Sequence, residues 1–151
     1  MKEKLTILFL CTGNSCRSQM AEGWTRKLKK DLIQVYSAGV ETHGLNPNAV
    51  KVMAEAGVDI SGQQSKPVSQ FMDTDLDAVI TVCGHAHETC PYFPPRCRII
   101  HAGFDDPPKM AAELASQGET EERQLDCYRK IRDEIRAFVE KMPDNIIDPK
   151  E

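Results

Sequence analysis

Residues 5–18 read LTILFLCTGNSCRS: an apolar run, Leu5 to Leu10, ends on Cys11 and passes through Thr12, Gly13, Asn14, Ser15 and Cys16 to Arg17 and Ser18. The run is short and carries Ile and Phe, which suits one strand buried on both faces. Beyond it, Met20, Trp24 and Leu28 recur every fourth position, the period of a helix with one apolar face. Ser18 is the expected N-cap, with Glu22 in the first turn. A strand therefore feeds a helix through a turn that contains Gly and Asn.

Reading outward, residues 33–37 form a second strand closed by Ala38 and Gly39. Asn46-Pro47 starts a helix whose inner face is expected to carry Val50, Met53 and Ala54, with Gly57 as its stop. Residues 78–82 and 98–101 are two further strands. Leu125, Tyr128, Ile131, Ile135, Phe138 and Met142 mark a C-terminal helix ended by Pro143. Strands alternating with helices imply an α/β fold with a parallel sheet. Segments 84–97 and 103–119 lack regular pattern, and long loops in a small domain tend to be functional.

The chain has 151 residues, which suits a single domain spanning 1–151. Hydrophobic residues make up 40 % and charged ones 28 %, so wholesale disorder is excluded. A net charge of -4 excludes the basic surplus that drives nucleic-acid binding. The longest apolar run, Ile7 to Cys11, is far short of the roughly 20 residues a membrane span needs. Lys2 and Lys4 precede an apolar stretch, but Thr6 interrupts it and no small-residue cleavage site follows. The expectation is a cytoplasmic monomer with neither nucleic-acid nor membrane partner. Six cysteines stand at 11, 16, 83, 90, 97 and 127. In a reducing compartment several cysteines point to catalysis or metal binding rather than to staples.

The turn from Cys11 to Ser18 has its own chemistry. Gly13 allows tight turning, and Asn14 tolerates positive φ. A loop wrapped at a helix N-terminus aims amides at one point, a site for a tetrahedral oxyanion. Arg17 can clamp two oxygens of that anion. The same field lowers a thiol pKa, which makes Cys11 a candidate nucleophile, and Ser18 could donate to its sulfur. The G-x4-G-K-[ST] pattern of nucleotide-binding loops is missing. In the second irregular segment, Asp105 and Asp106 precede Pro107 and Pro108, which would hold an acid rigidly at a loop tip. After the third strand, Cys83 and Cys90 bracket Gly84, His85 and His87. Two thiols there could meet if the loop coils, which suggests a transferable disulfide. The set Cys83, His85, His87 and Cys90 could instead ligate zinc, although the spacing matches no usual pairing.

These residues carry a resemblance. The stretch from Cys11 to Ser18 resembles the signature of the low-molecular-weight protein tyrosine phosphatase superfamily. QMAEGW at 19–24, YSAGVETH at 36–43 and Asn46-Pro47 are similar to the thioredoxin-coupled arsenate reductases built on that scaffold. The resemblance implies a four-stranded parallel sheet flanked by helices. It implies arsenate as substrate, phosphate or sulfate as mimics, thioredoxin as electron donor and no cofactor. Its site residues map to Cys11 as nucleophile, Thr12 to Ser18 as the oxyanion loop, and Asp106 as acid. Cys83 and Cys90 map to the redox pair, where His85 and His87 depart from the family pattern and could tune the thiols. Some members hold a monovalent cation at positions matching Asn14, Glu22 and Ser37. A further acidic position of that site is Lys66 here, whose ammonium could replace the ion. Two rivals remain: a tyrosine phosphatase, which needs only Cys11, Arg17 and Asp106, and a non-catalytic thiol sensor or metal module.

Overall fold

A computed structural model describes residues 4–94 and 96–146. Residues 1–3, 95 and 147–151 of the expected 1–151 domain lie outside the described residues. Four strands, β1 (Leu5–Cys11), β2 (Ile33–Gly39), β3 (Ala78–Thr81) and β4 (Arg98–His101), form one parallel sheet in the order β2-β1-β3-β4. The expected four-stranded parallel architecture is the one observed. β1 is central because its sequence lets it be: Ile7, Leu8, Phe9 and Leu10 are wholly buried, so neither face needs water. Its register sets Leu5 opposite Ile33 and Cys11 opposite Gly39 on one side, and Ile7 opposite Ala78 on the other. β4 alternates half-buried and exposed residues, as an edge strand does.

The helices are α1 (Arg17–Leu28), α2 (Pro47–Glu55), α3 (Gly84–Glu88), α4 (Pro107–Ser116) and α5 (Glu121–Glu140). α5 packs against α1, α2 and α4, and α3 rests on β1 and β3. Trp24 is buried between α1 and α5 and donates its Nε1–H to the Arg132 carbonyl at 3.1 Å. The Arg136 guanidinium lies 4.9 Å from its ring centre. Truncating so large a buried side chain typically costs about 3–5 kcal/mol.

Several local expectations change. Ser18 is not the N-cap of α1: Cys16 holds that position and no side chain caps the helix. The buried face of α2 is Ala49, Val52 and Met53, whereas Val50 is half-buried and Ala54 exposed. The inner row therefore runs one position off the expected one. Asn46 does cap that helix, accepting from the amides of Asn48 and Ala49, with Pro47 at its start and Gly57 at φ +84° beyond its end. The segment 103–119 is not irregular, because Pro107 and Pro108 open the ten-residue helix α4. α5 is capped by Thr120, and Val139 rather than Phe138 continues its buried row. Met142 is buried but lies in the turn after the helix.

Candidate active site

The turn between β1 and α1 is over-determined by hydrogen bonds. Asn14 sits at φ +49°, as its residue type permits. Its Nδ2 donates to Ser18 Oγ at 2.9 Å and Ser37 Oγ at 3.0 Å, and its Oδ1 accepts from the Lys66 amide at 2.8 Å. The carbonyls of the turn are claimed from outside. Thr12 O accepts from the Glu41 amide, Gly13 O from the His43 amide and Ser65 Oγ, and Ser15 O from the Asn46 amide, each at 2.9 Å. Gln19 Nε2 donates to Asn14 O at 2.9 Å. With the carbonyls engaged outside, the amides remain: among the described residues none from 13 to 18 donates to a backbone carbonyl. A Cβ on Gly13 would press on the His43 ring, so a larger residue there would displace that side chain.

These donors border a cavity of about 480 Å³ lined by Cys11, Thr12, Gly13, Ser15, Cys16 and Arg17, with His43 and Asp106 on its rim. Arg17 is 9 % exposed. Its Nη1 donates to the Phe104 carbonyl at 2.7 Å, which fixes the guanidinium. Its buried Nε has no partner. The helix N-terminus without a cap, the unclaimed amides and this N–H together form a socket for an oxyanion. Of the expected loop residues, Asn14 and Ser18 are wholly buried beneath the socket and brace it. Ser18 Oγ accepts from Asn14 Nδ2.

The thiols differ from expectation in one respect. The fold brings Cys83, far from Cys11 in sequence, to the same loop, its Sγ 3.2 Å from Thr12 Oγ1. The interaction between the two thiols favours an anion on Cys83. Cys83 is lowered by its interaction with Cys11, by Thr12 Oγ1 at 3.2 Å, by the Ala86 amide at 3.4 Å and by the Arg17 charge. Cys11 is raised by its interaction with Cys83 and by burial, against the pull of Arg17 and of the Thr12 amide. The pair thus gives up one proton readily and holds the second. His85 and His87 are not among the groups that lower Cys83. His87 instead stacks on His101, with ring centres 4.6 Å apart, and shares Thr81 Oγ1 with it. Cys90 is half-buried just beyond α3, and burial raises its pKa. Among the described residues no group of three or more Cys, His, Asp or Glu side chains is arranged to hold a metal ion.

Asp106 caps α4 in backbone only, leaving its carboxylate free of the helix amides. Its Oδ1 stands 3.8 Å from Arg17 Nη2 and it lines the cavity, whereas Asp105 is exposed and does not. Burial pushes the Cys16 thiol up to about 12 and Cys97 up to about 11, so both stay protonated at neutral pH. Cys127 is packed on α5, its sulfur 4.0 Å from the Arg123 carbonyl.

Asn14, Glu22 and Ser37 meet below the turn, yet they do not fit a bound monovalent cation. Ser37 Oγ donates to Glu22 Oε1 at 2.6 Å, and Asn14 Oδ1 is taken by the Lys66 amide. Lys66 Nζ stands 3.7 Å from Glu22 Oε1, and Arg26 pairs with Oε2. A carboxylate already facing two cationic side chains is a poor ligand for a third cation. Sequence reasoning did not reach the Thr12–Cys83 contact or the bracing of the loop by Gln19, His43 and Ser65. The one signal available was the pattern of short polar residues at 36–46 and 61–66.

The chain is similar to known arsenate reductases along most of its length. It is 53 % identical to the arsenate reductase of Bacillus licheniformis over 132 residues, covering 87 % of this chain and 90 % of that one. To the Bacillus subtilis arsenate reductase it is 50 % identical over 133 residues, covering 88 % and 91 %. A solved arsenate reductase in the oxidized state superposes with a TM-score of 0.74 at 32 % identity, covering 94 % of this chain and 98 % of that one. Residues 6–148 match the low molecular weight phosphotyrosine protein phosphatase family, and the chain belongs to that family, where the relatives it resembles are arsenate reductases.

Proposed function

We propose that this enzyme reduces arsenate to arsenite through a relay from Cys11 to Cys83 to Cys90, with the dithiol of thioredoxin as final reductant. The observation that supports the reading is a second thiol brought to the nucleophile's loop: Cys83 Sγ lies 3.2 Å from Thr12 Oγ1, next to Cys11, and its thiol is pulled down by its interaction with Cys11, by Thr12 and by the Ala86 amide. Phosphate-ester hydrolysis has no use for that thiol. The arsenate reductases among its relatives support the same reading.

In this scheme arsenate docks in the amide socket with Arg17 on two of its oxygens. Cys11 Sγ attacks arsenic, and its proton departs with an arsenate hydroxyl as water, assisted by Asp106. The Cys83 thiolate then attacks Cys11 Sγ. A sulfur–sulfur bond forms and the sulfur–arsenic bond breaks, its electron pair staying on arsenic. Arsenic(V) becomes arsenic(III) and leaves as arsenite. Cys90 next attacks Cys83 Sγ and expels the Cys11 thiolate. Cys83 and Cys90 flank the helix α3, Gly84–Glu88. A disulfide needs Cα atoms within about 7 Å, so α3 unwinds at this step. Thioredoxin finally reduces the Cys83–Cys90 bond. The test is arsenite release by Cys90→Ser in single turnover: about one arsenite per enzyme, with no further turnover on adding thioredoxin, is the expected result. No arsenite at all would overturn the order of the relay.

A further inference from the structure

Beneath the oxyanion loop lies a buried carboxylate that the chemistry above does not use. Glu22 is 4 % exposed. A carboxylate so placed needs compensating charge. Arg26 supplies part of it from the solvent side, its side chain 61 % exposed. The remainder comes from Lys66, whose ammonium donates to the Gln64 carbonyl at 2.6 Å and faces Glu22 Oε1 at 3.7 Å with only 18 % of its side chain exposed.

We propose that the Lys66 ammonium is a tethered counter-ion that holds the oxyanion loop in its binding shape, so that the loop needs no dissolved cation. The path is short. Lys66 faces Glu22, Glu22 accepts from Ser37, and Ser37 accepts from Asn14. Asn14 is the one non-glycine residue at positive φ among the described residues, and its conformation sets the turn. The backbone of Lys66 grips the same place, its amide on Asn14 Oδ1 and its carbonyl accepting from the Gly39 amide at 2.8 Å. Removing the ammonium leaves Glu22 undercompensated, loosens the hold of Ser37 on Asn14, and costs the socket its preorganisation. Beside Lys66 a cleft of about 390 Å³ is bordered by Glu22, Arg26, Asp59 and Gln63. Truncating the lysine opens the space between that cleft and Glu22 to a hydrated cation. The inference goes beyond the proposed reaction, because any tetrahedral oxyanion reads the shape of the loop.

The experiment titrates inorganic phosphate into the reduced protein by calorimetry, in choline chloride and in potassium chloride at equal ionic strength. Thermal midpoints are recorded alongside. The wild type is expected to bind equally in both salts. Lys66→Ala should bind about tenfold more weakly in choline and recover most of that loss, with its midpoint, in potassium. Lys66→Met, whose side chain fills the space, should be weak in both. Three results would overturn the proposal: wild-type binding that tightens several-fold with potassium, either variant at full affinity in choline, or an alanine variant equally weak in both salts. Because phosphate binding is read, none of these bears on arsenate reduction.

Discussion

The turn at 11–18 and the segment at 83–94 meet at two sulfurs but are built in opposite ways. The turn is pinned: its carbonyls are held by Gln19, Glu41, His43, Asn46 and Ser65, and Asn14 by Ser18, Ser37 and Lys66. Its residues are buried except Thr12 and Ser15, which are half-buried. The second segment begins with a five-residue helix in which only Ala86 is buried, capped by the sulfur of Cys83 itself. A helix that short has little stability of its own. The difference follows from what each must do. An oxyanion socket works by not moving, since its dipoles are aligned before charge arrives. A thiol that bonds first to one sulfur and then to another has to move, so its helix must be cheap to open.

Breaking the pinned side should have the largest effect. Cys11→Ser is expected to lower arsenate turnover by at least about 10³-fold, since a hydroxyl is a poor nucleophile at neutral pH. Arg17→Lys should lose roughly 10²-fold or more, because lysine cannot present a fork to two oxygens. Steady-state rates check both, and phosphate affinity should fall with the second. Asp106→Asn comes next, with a loss of about 10²-fold that Asp105→Asn does not share. Equal losses in the two would mean that the acid has been misassigned.

The thiol pair gives a spectroscopic comparison. Because the Cys83 pKa is lowered, its thiolate persists as pH falls below the ordinary thiol range of about 8.5. Thiolate absorbance near 240 nm should therefore survive at pH 7 in the reduced wild type. In Cys11→Ala or Thr12→Val the transition should move to higher pH, since each loses a donor that stabilises the anion. The sign carries over to stability. A lowered acid contributes above its unfolded pKa, and that contribution is lost as pH falls through the folded value.

The smallest expected effect sharpens the mobile side. An added Cβ at Gly84 meets nothing within 4 Å. Gly84→Ala should stabilise α3 by about 0.4–1 kcal/mol and slow formation of the Cys83–Cys90 bond by about 2–5-fold. Stopped-flow trapping of the disulfide would show it, and an accelerated step would contradict the unwinding of α3.

The difference between these regions also explains what could be read from sequence. The turn was legible because its determinants are local: Cys11 and Arg17 lie six positions apart, with Gly13 and Asn14 between a strand and a helix. That β1 is buried on both faces followed from its fully apolar run. The start of α4 was written in Asp106-Pro107-Pro108, a turn signal that is equally a helix start. The row on α2 was misjudged because Val50 and Ala54 share the helical period with Val52 and Met53, and only packing against α5 selects the face. The meeting of Cys83 with the loop was out of reach. It depends on a contact between residues 71 apart, Thr12 and Cys83, which periodicity cannot supply.

The central claim is that Cys83 turns an oxyanion socket into a reductase. It is tested most directly by comparing wild type and Cys83→Ser in one assay pair: arsenite release in single turnover, and hydrolysis of an aryl phosphate. The account predicts that the variant releases no arsenite, because nothing attacks the sulfur bearing arsenic. It should still hydrolyse the phosphate ester at a rate within a few-fold of wild type, since Cys11, Arg17 and Asp106 remain. Arsenite released by Cys83→Ser at the wild-type rate would contradict it.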